Sequence, residues 1–210
     1  MSAKDCGSHD HCKSHKFYRH HVFKWVIGIV VLIIFIILVI WLVLRPTKPK
    51  YYLQDTTVSN LTLYPNSNTL STIIQVTLSS RNPNDRIGIY YDKLDVYAEY
   101  KGQQITIPTL LPRGYQGHND VSVWSPYLSG EGVPLAPYLL SSLMQDEHAG
   151  YMLINIRVYG RLRWKVGTWI SGHYHIDVNC PAFLTVNNGD ENGYGAVFHF
   201  QHMSSCSVEV

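Results

Sequence analysis

The sequence is poor in charge. Lys, Arg, Asp and Glu make up only 15% of its 210 residues, and between Trp25 and Leu44 there is none. That gap excludes an ordinary surface helix there, because such a helix needs a polar face. Short catalytic motifs are also missing. There is no Gly-x-Ser-x-Gly elbow, no His-Glu-x-x-His pair and no Gly-Lys-Ser/Thr phosphate loop. No internal repeat is present, and no long apolar tail closes the chain at Ser-Cys-Ser-Val-Glu-Val. From residue 46 onward acidic and basic residues nearly balance, which argues against nucleic acid as a partner. We therefore expect a binding or structural protein with no cofactor, and not an enzyme.

What is present begins with a long apolar run. From Val26 to Leu44 only Gly28 and Trp41 interrupt Ile, Val, Leu and Phe. About 20 helical residues span about 30 Å, the thickness of a bilayer's hydrocarbon core. A cleaved signal peptide has an apolar stretch of about 7–15 residues followed by small residues. Here the run ends Trp41-Leu42-Val43-Leu44-Arg45-Pro46, so it reads as a retained signal anchor. Lys4, Lys13, Lys16, Arg19 and Lys24 precede it, against Arg45, Lys48 and Lys50 just after it. The basic excess puts the N-terminus in the cytoplasm and the C-terminal part outside. Asn60-Leu61-Thr62 is a glycosylation acceptor that works only with that topology. Cys180 and Cys206 would then lie in an oxidising compartment, where they either pair or remain two buried thiols.

The organisation follows. Residues 1–24 are polar, basic and His-rich without apolar period, and read as a disordered tail. The span is 25–44. Pro46 and Pro49 make 45–55 a stalk. Residues 56–210 are the size of one domain. Its signature is period-2 alternation, which marks strands with one wet and one buried face. In 152–165, Met152, Ile154, Ile156, Val158, Leu162 and Trp164 share one face, and Asn155, Arg157, Tyr159, Arg161, Arg163 and Lys165 the other. Similar strands are predicted at 72–79 and 93–100, with others near 57–64, 87–91, 103–107, 119–124, 172–179 and 195–208. Lys101-Gly102 reads as a hairpin turn and Asn82-Pro83-Asn84-Asp85 as a tight bend. Pro134 and Pro137 open a short helix over about 135–145. The expected fold is mainly β: a two-sheet sandwich with one short helix, behind a single transmembrane helix.

Two segments carry a family resemblance. Arg81-Asn82-Pro83-Asn84-Asp85-Arg86 runs into Ile87-Gly88-Ile89-Tyr90-Tyr91-Asp92, and Gly160-Arg161-Leu162-Arg163-Trp164-Lys165-Val166-Gly167 follows downstream, ahead of Cys180 and Cys206. With the basic tail and single anchor, this resembles the plant harpin-induced and non-race-specific disease-resistance-like membrane proteins. Their ectodomain is a late embryogenesis abundant group 2 domain. The resemblance implies a sandwich of immunoglobulin or fibronectin type III kind, a plasma-membrane location, and a role in plant defence or stress. It implies no catalytic residues.

Each candidate site has a plain competitor. Cys6, His9, His11, Cys12 and His15 are metal-ligand types, and Cys12 is an acylation candidate, but a solvated basic tail is the simpler reading. His173 and His175 share one strand face without a third ligand. We expect no metal. Arg157, Tyr159, Arg161, Arg163 and Lys165 form a candidate binding face for acidic wall polysaccharide or an acidic partner. The competing reading pairs them with Asp92, Asp95 and Glu99 on a neighbouring strand. The Asn82-Pro83-Asn84 turn reads as a structural corner sooner than a recognition loop. Tyr90 and Tyr91 must point to opposite faces. The expected protein is a tethered adaptor touching membrane or cell-wall components, forming homo- or hetero-oligomers. The alternative is a structural protein protecting membranes or proteins during drying or cold.

Overall fold

Alternation builds the larger of two units, and the smaller is one long helix. The computed structural model describes residues 11–43, 45–186 and 198–210, in two units divided between Arg45 and Pro46. The first unit is α1 (His11–Val43). Its apolar segment Val22–Val39 is long enough to cross a membrane, and none of it is buried. The helix starts well before Trp25, so the backbone of 11–24 is helical where the sequence suggested disorder. Once an apolar run has nucleated a helix, each further residue adds one hydrogen bond, a gain that composition alone does not register. Cys6 and His9 lie outside the described residues.

The second unit contains β1 (Lys50–Tyr64), β2 (Thr69–Arg81), β3 (Ile87–Tyr100), β4 (Gln103–Gln104), β5 (Thr109–Leu110), β6 (Gly114–Gln116), β7 (Val121–Trp124), β8 (Tyr127–Pro134), α2 (Pro137–Ala149), β9 (Tyr151–Val166), β10 (Trp169–Ile170), β11 (Tyr174–Val186), β12 (Phe198–Phe200), β13 (Ser204–Ser205) and β14 (Ser207–Glu209). All pairs are antiparallel, in the order β4-β3-β9-β11-β12-β1-β2-β7, with β8 further along β2. The sheet curls on itself, so its two halves pack as the layers of a sandwich. Segment 105–107 brings the ends together: Ile105 N donates to Ala98 O, and Ile107 N to Ser129 O. A side chain on Gly130 would strike the Ile105 carbonyl, so that approach needs glycine.

The core is the inward set that alternation names. Ile154, Ile156 and Val158 of β9, with Val96 of β3 and Val76 of β2, are fully buried. Each such side chain contributes about 1.5–3 kcal/mol relative to exposure. In α2, Pro137 supplies a preset first turn and Gly150, at φ 74°, the left-handed cap. Leu139, Leu140 and Leu143 face inward, and Tyr100 Oη donates to Asp146 Oδ2 at 2.7 Å. Lys101 and Gly102, both at positive φ, turn the chain between β3 and β4 as expected. Cys180 and Cys206 form a disulfide, the first of the two states the sequence left open. In the chain-entropy model a loop of that size contributes about 3–4 kcal/mol.

Several boundaries differ from expectation. The stalk is shorter than 45–55, because β1 starts at Lys50 and buries Tyr51 and Leu53. The two expected strands 87–91 and 93–100 are one strand with a register shift between Tyr91 and Lys93. That bulge turns Asp92 and Lys93 both outward and returns Leu94 to the core. Opposite it, a Cβ on Gly160 would collide with the Lys93 carbonyl and with Leu94. Only 103–104 of the expected 103–107 is strand, and 198–209 is broken into three short strands, with 187–197 outside the described residues. β8 was not anticipated. Gly160→Ala should therefore destabilise the chain by about 2–4 kcal/mol. Gly114→Ala, whose Cβ meets open space, should change little. Urea unfolding in detergent micelles measures both, and equal effects would contradict the packing at the bulge.

Candidate functional site

The Asn-Pro-Asn turn is a buried polar corner. Asn82 is fully buried and Asn84 is 5% exposed. Pro83 holds Asn82 extended, and Asn82 Oδ1 then accepts the Asn84 N–H at 3.1 Å, closing an Asx turn. The closing oxygen thus comes from Asn82, the first residue of the expected bend. Asn82 Nδ2 donates to Ile87 O and Gly117 O at 2.7 and 2.8 Å. Asn84 reaches the other way. Its Oδ1 accepts Thr47 N–H and Thr47 Oγ1–H, and its Nδ2 donates to Thr47 O and Asn82 Oδ1, all at 2.8 Å. Thr47 is the second residue of the β-unit, so this corner grips the chain as it arrives from α1's side of the sequence.

A second buried network adjoins it. Tyr91 Oη donates to Gln116 Oε1 at 2.9 Å and lies 2.9 Å from Ser80 Oγ. Gln116 Nε2 donates to Ser80 O and Asp120 O. Burial pushes the Tyr91 hydroxyl above its ordinary value and pushes that of Tyr51 well above it, with Tyr91 adding to the latter. Both remain neutral; Tyr91 donates to Gln116, while the buried Tyr51 hydroxyl has no hydrogen-bond partner among the described residues. Trp124 packs edge-on to Tyr91 and stacks with Tyr51.

The outward face of β9 is a charge grid. Arg163 holds Asp92 with two bonds, Nε at 2.8 Å and Nη2 at 2.6 Å. Arg157 Nη2 donates to Asp177 Oδ2 at 3.1 Å, while its Nε stands 4.0 Å from Glu99. Asp95 pairs with Lys93 instead. Lys165 Nζ lies 5.0 Å from the Tyr115 ring and 5.6 Å from that of Tyr90, and those rings are 4.7 Å apart. Tyr115 occupies the space a side chain at Gly88 would need, which accounts for that glycine. Tyr90 and Tyr91 do take opposite faces. Arg161 is exposed beside Lys93 and His175, with no ion pair among the described residues. His173 Nε2 is 3.4 Å from Asp92, and His175 Nδ1 is 3.4 Å from Tyr159 Oη. Of the candidate stripe, Arg157 and Arg163 are thus engaged internally, while Tyr159 and Arg161 are exposed and Lys165 is half-buried.

These segments can be set beside known proteins. The late embryogenesis abundant protein family model matches residues 77–180, which include the corner, the bulge and all of β9. NDR1/HIN1-like protein 1 of Arabidopsis thaliana is 49% identical, covering 99% of this chain and 100% of that protein. The chain belongs to the NDR1/HIN1-like family. NDR1/HIN1-like protein 12 of the same plant is 41% identical over the full length of both chains. NDR1/HIN1-like protein 26 is 40% identical over 72% of each. A crystal structure of a protein from Archaeoglobus fulgidus aligns at a TM-score of 0.30 and 12% identity, over 64% of this chain and 98% of that one. That likeness is too low to carry an argument.

In this NDR1/HIN1-like chain the residues that sequence reasoning missed are partners, not motif members. Thr47 and Gln116 carry no local signal, since one lies in a Pro-flanked segment and the other beside two glycines. Asp177 was within reach, because alternation along β11 places it opposite Tyr159. Asn84→Ala should cost about 2–4 kcal/mol by leaving the Thr47 N–H, hydroxyl and carbonyl without their partner. Asn84→Asp should cost at least as much, since it sets oxygen against Thr47 O and Asn82 Oδ1; denaturant midpoints test both, and tolerance of Asp would contradict the donor assignment. The Asp92 carboxyl is held below its ordinary value chiefly by the Arg163 hydrogen bond, against partial burial. Because the folded state binds that proton less readily, the pair stabilises above the ordinary carboxylate range and is lost as pH falls through the lowered value. Asp92→Asn should therefore flatten the acid limb of the stability–pH curve, and an unchanged limb would count against the pair.

Proposed function

We propose that the chain is a single-pass plasma-membrane protein with a cytoplasmic N-terminus. Its β-domain stands outside the cell and acts as a binding or adaptor module for membrane or cell-wall components, not as an enzyme. The observation that carries the reading is Val22–Val39, a helix whose one charge, Lys24, lies near its start and which is unburied along its length. Such a helix belongs in lipid, where its backbone is satisfied internally and its side chains need no polar face. Family membership supports a role in plant defence or stress. The disulfide fits an oxidising compartment.

Asn60 supports the orientation. It is exposed on β1 at an irregularity between Val58 and Asn60, and Thr62 Oγ1 donates to its Oδ1 at 2.9 Å. The binding function rests on the exposed part of the β9 face, where Tyr159 and Arg161 stand clear of the ion pairs around them. On intact cells, external protease should remove the β-domain and spare an N-terminal tag. Glycosidase should lower the apparent mass, and Asn60→Gln should abolish that shift. Loss of the tag with survival of the domain would overturn the topology.

A further inference from the structure

The β9–β10 hairpin ends in large, bare side chains. Trp169 is 63% exposed and Ile170 41%. The tip is ordered to its last residue: Gly167 turns at φ 59°, Ser171 N donates to Trp164 O, and Trp164 N donates to Ser171 Oγ. Neither aromatic stacking nor an ion pair accounts for Trp169 among the described residues.

Register shows which end of the sandwich the hairpin occupies. Val166 pairs with Ile87, the first residue after the polar corner, and Arg81, just before that corner, pairs with Lys50. Hairpin, corner and the Pro46–Lys50 entry therefore share one end of the β-domain. Lys48, Lys50, Arg81 and Arg86 are exposed there and form no ion pair among the described residues. Asp85, Asp120 and Glu209 lie at the same end, and Asp85 Oδ1 accepts from Asn119 Nδ2. Only Leu44 and Arg45 lie between Val43, where the described α1 ends, and Pro46, and a chain reaches about 3.5 Å per residue at most.

We infer that this end of the β-domain is a lipid-contacting surface. Trp169 and Ile170 enter the headgroup layer, and Lys48, Lys50, Arg81 and Arg86 contact headgroup phosphates around them. The chemistry is that of interfacial anchors: an indole is apolar in body with one polar N–H, and ammonium and guanidinium groups pair with headgroup phosphates. The short, gripped tether makes the bilayer the partner in reach. The inference rests on the single-pass reading, and it adds that the folded domain itself takes hold of the membrane.

The test uses the full chain with Trp25→Phe and Trp41→Phe, reconstituted in nanodiscs of neutral or partly anionic lipid, with or without brominated acyl chains. Brominated lipid should remove most of the Trp169 emission, identified by difference from the same chain carrying Trp169→Phe. Arg81→Glu with Arg86→Glu should weaken that loss in anionic discs. Equal emission in plain and brominated discs, with Trp169 quenched by aqueous iodide, would overturn the lipid surface. Equal emission with Trp169 shielded from iodide would also overturn it, by showing a protein occupant. A chain stripped from the discs by alkaline carbonate would instead overturn the single-pass reading, and the inference with it.

Discussion

Asn84 uses both lone-pair positions and both N–H bonds of its side chain, and three of those four bonds go to one residue, Thr47. An amide buried this deeply is costly unless fully paired, so its partners cannot drift. The consequence reaches along the chain. Thr47 is gripped three residues before β1 begins, and β1 then pairs with β2 from Lys50 and Arg81 onward. In a strand, a slip of one residue would send Tyr51 and Leu53 to solvent and their neighbours to the core. The corner thus helps set the register of the sheet at its entry, while Asn82 fixes the start of β3 and the 117–120 loop.

The bulge at Asp92 is the second constraint, and it serves the surface. By adding one residue to β3 it presents Asp92 to Arg163 without disturbing the inward row. Gly160 is what allows the strands to come this close. Ion pairs then consume Arg157 and Arg163, so the exposed basic chemistry of β9 is concentrated on Arg161. A stripe that looks uniformly basic in sequence is, in the folded sheet, a lattice of both signs with one unpaired guanidinium.

How far the fold could be read beforehand depended on whether its cause was local. Alternation in β2, β3 and β9 is local, and those strands appear where Ile74–Leu78, Leu94–Tyr100 and Met152–Trp164 place them. β8 was hidden because Tyr127–Pro134 contains Gly130, Gly132 and Pro134, which read as a loop; Gly130 is required chiefly by the distant Ile105 carbonyl. The entry was misread for the same reason. Pro46 and Pro49 announce a stalk, yet Pro49 is buried and the grip on Thr47 comes from a residue 37 positions away. At the candidate site the motif residues were legible, and the partners Thr47 and Gln116 were not, because pairing between distant segments is not written in either segment alone.

Together these features describe a β-domain whose entry is locked at Thr47. In the proposed reading a locked entry suits a membrane-proximal adaptor, because a stiff link raises the effective concentration of its faces toward neighbours at the surface. The most direct measurement is amide hydrogen exchange at Thr47 in the full chain in bilayer nanodiscs. The account predicts protection comparable to the β1 core amides of Leu53 and Val58. Exchange at Thr47 as fast as in an unstructured peptide, with those core amides still protected, would contradict it.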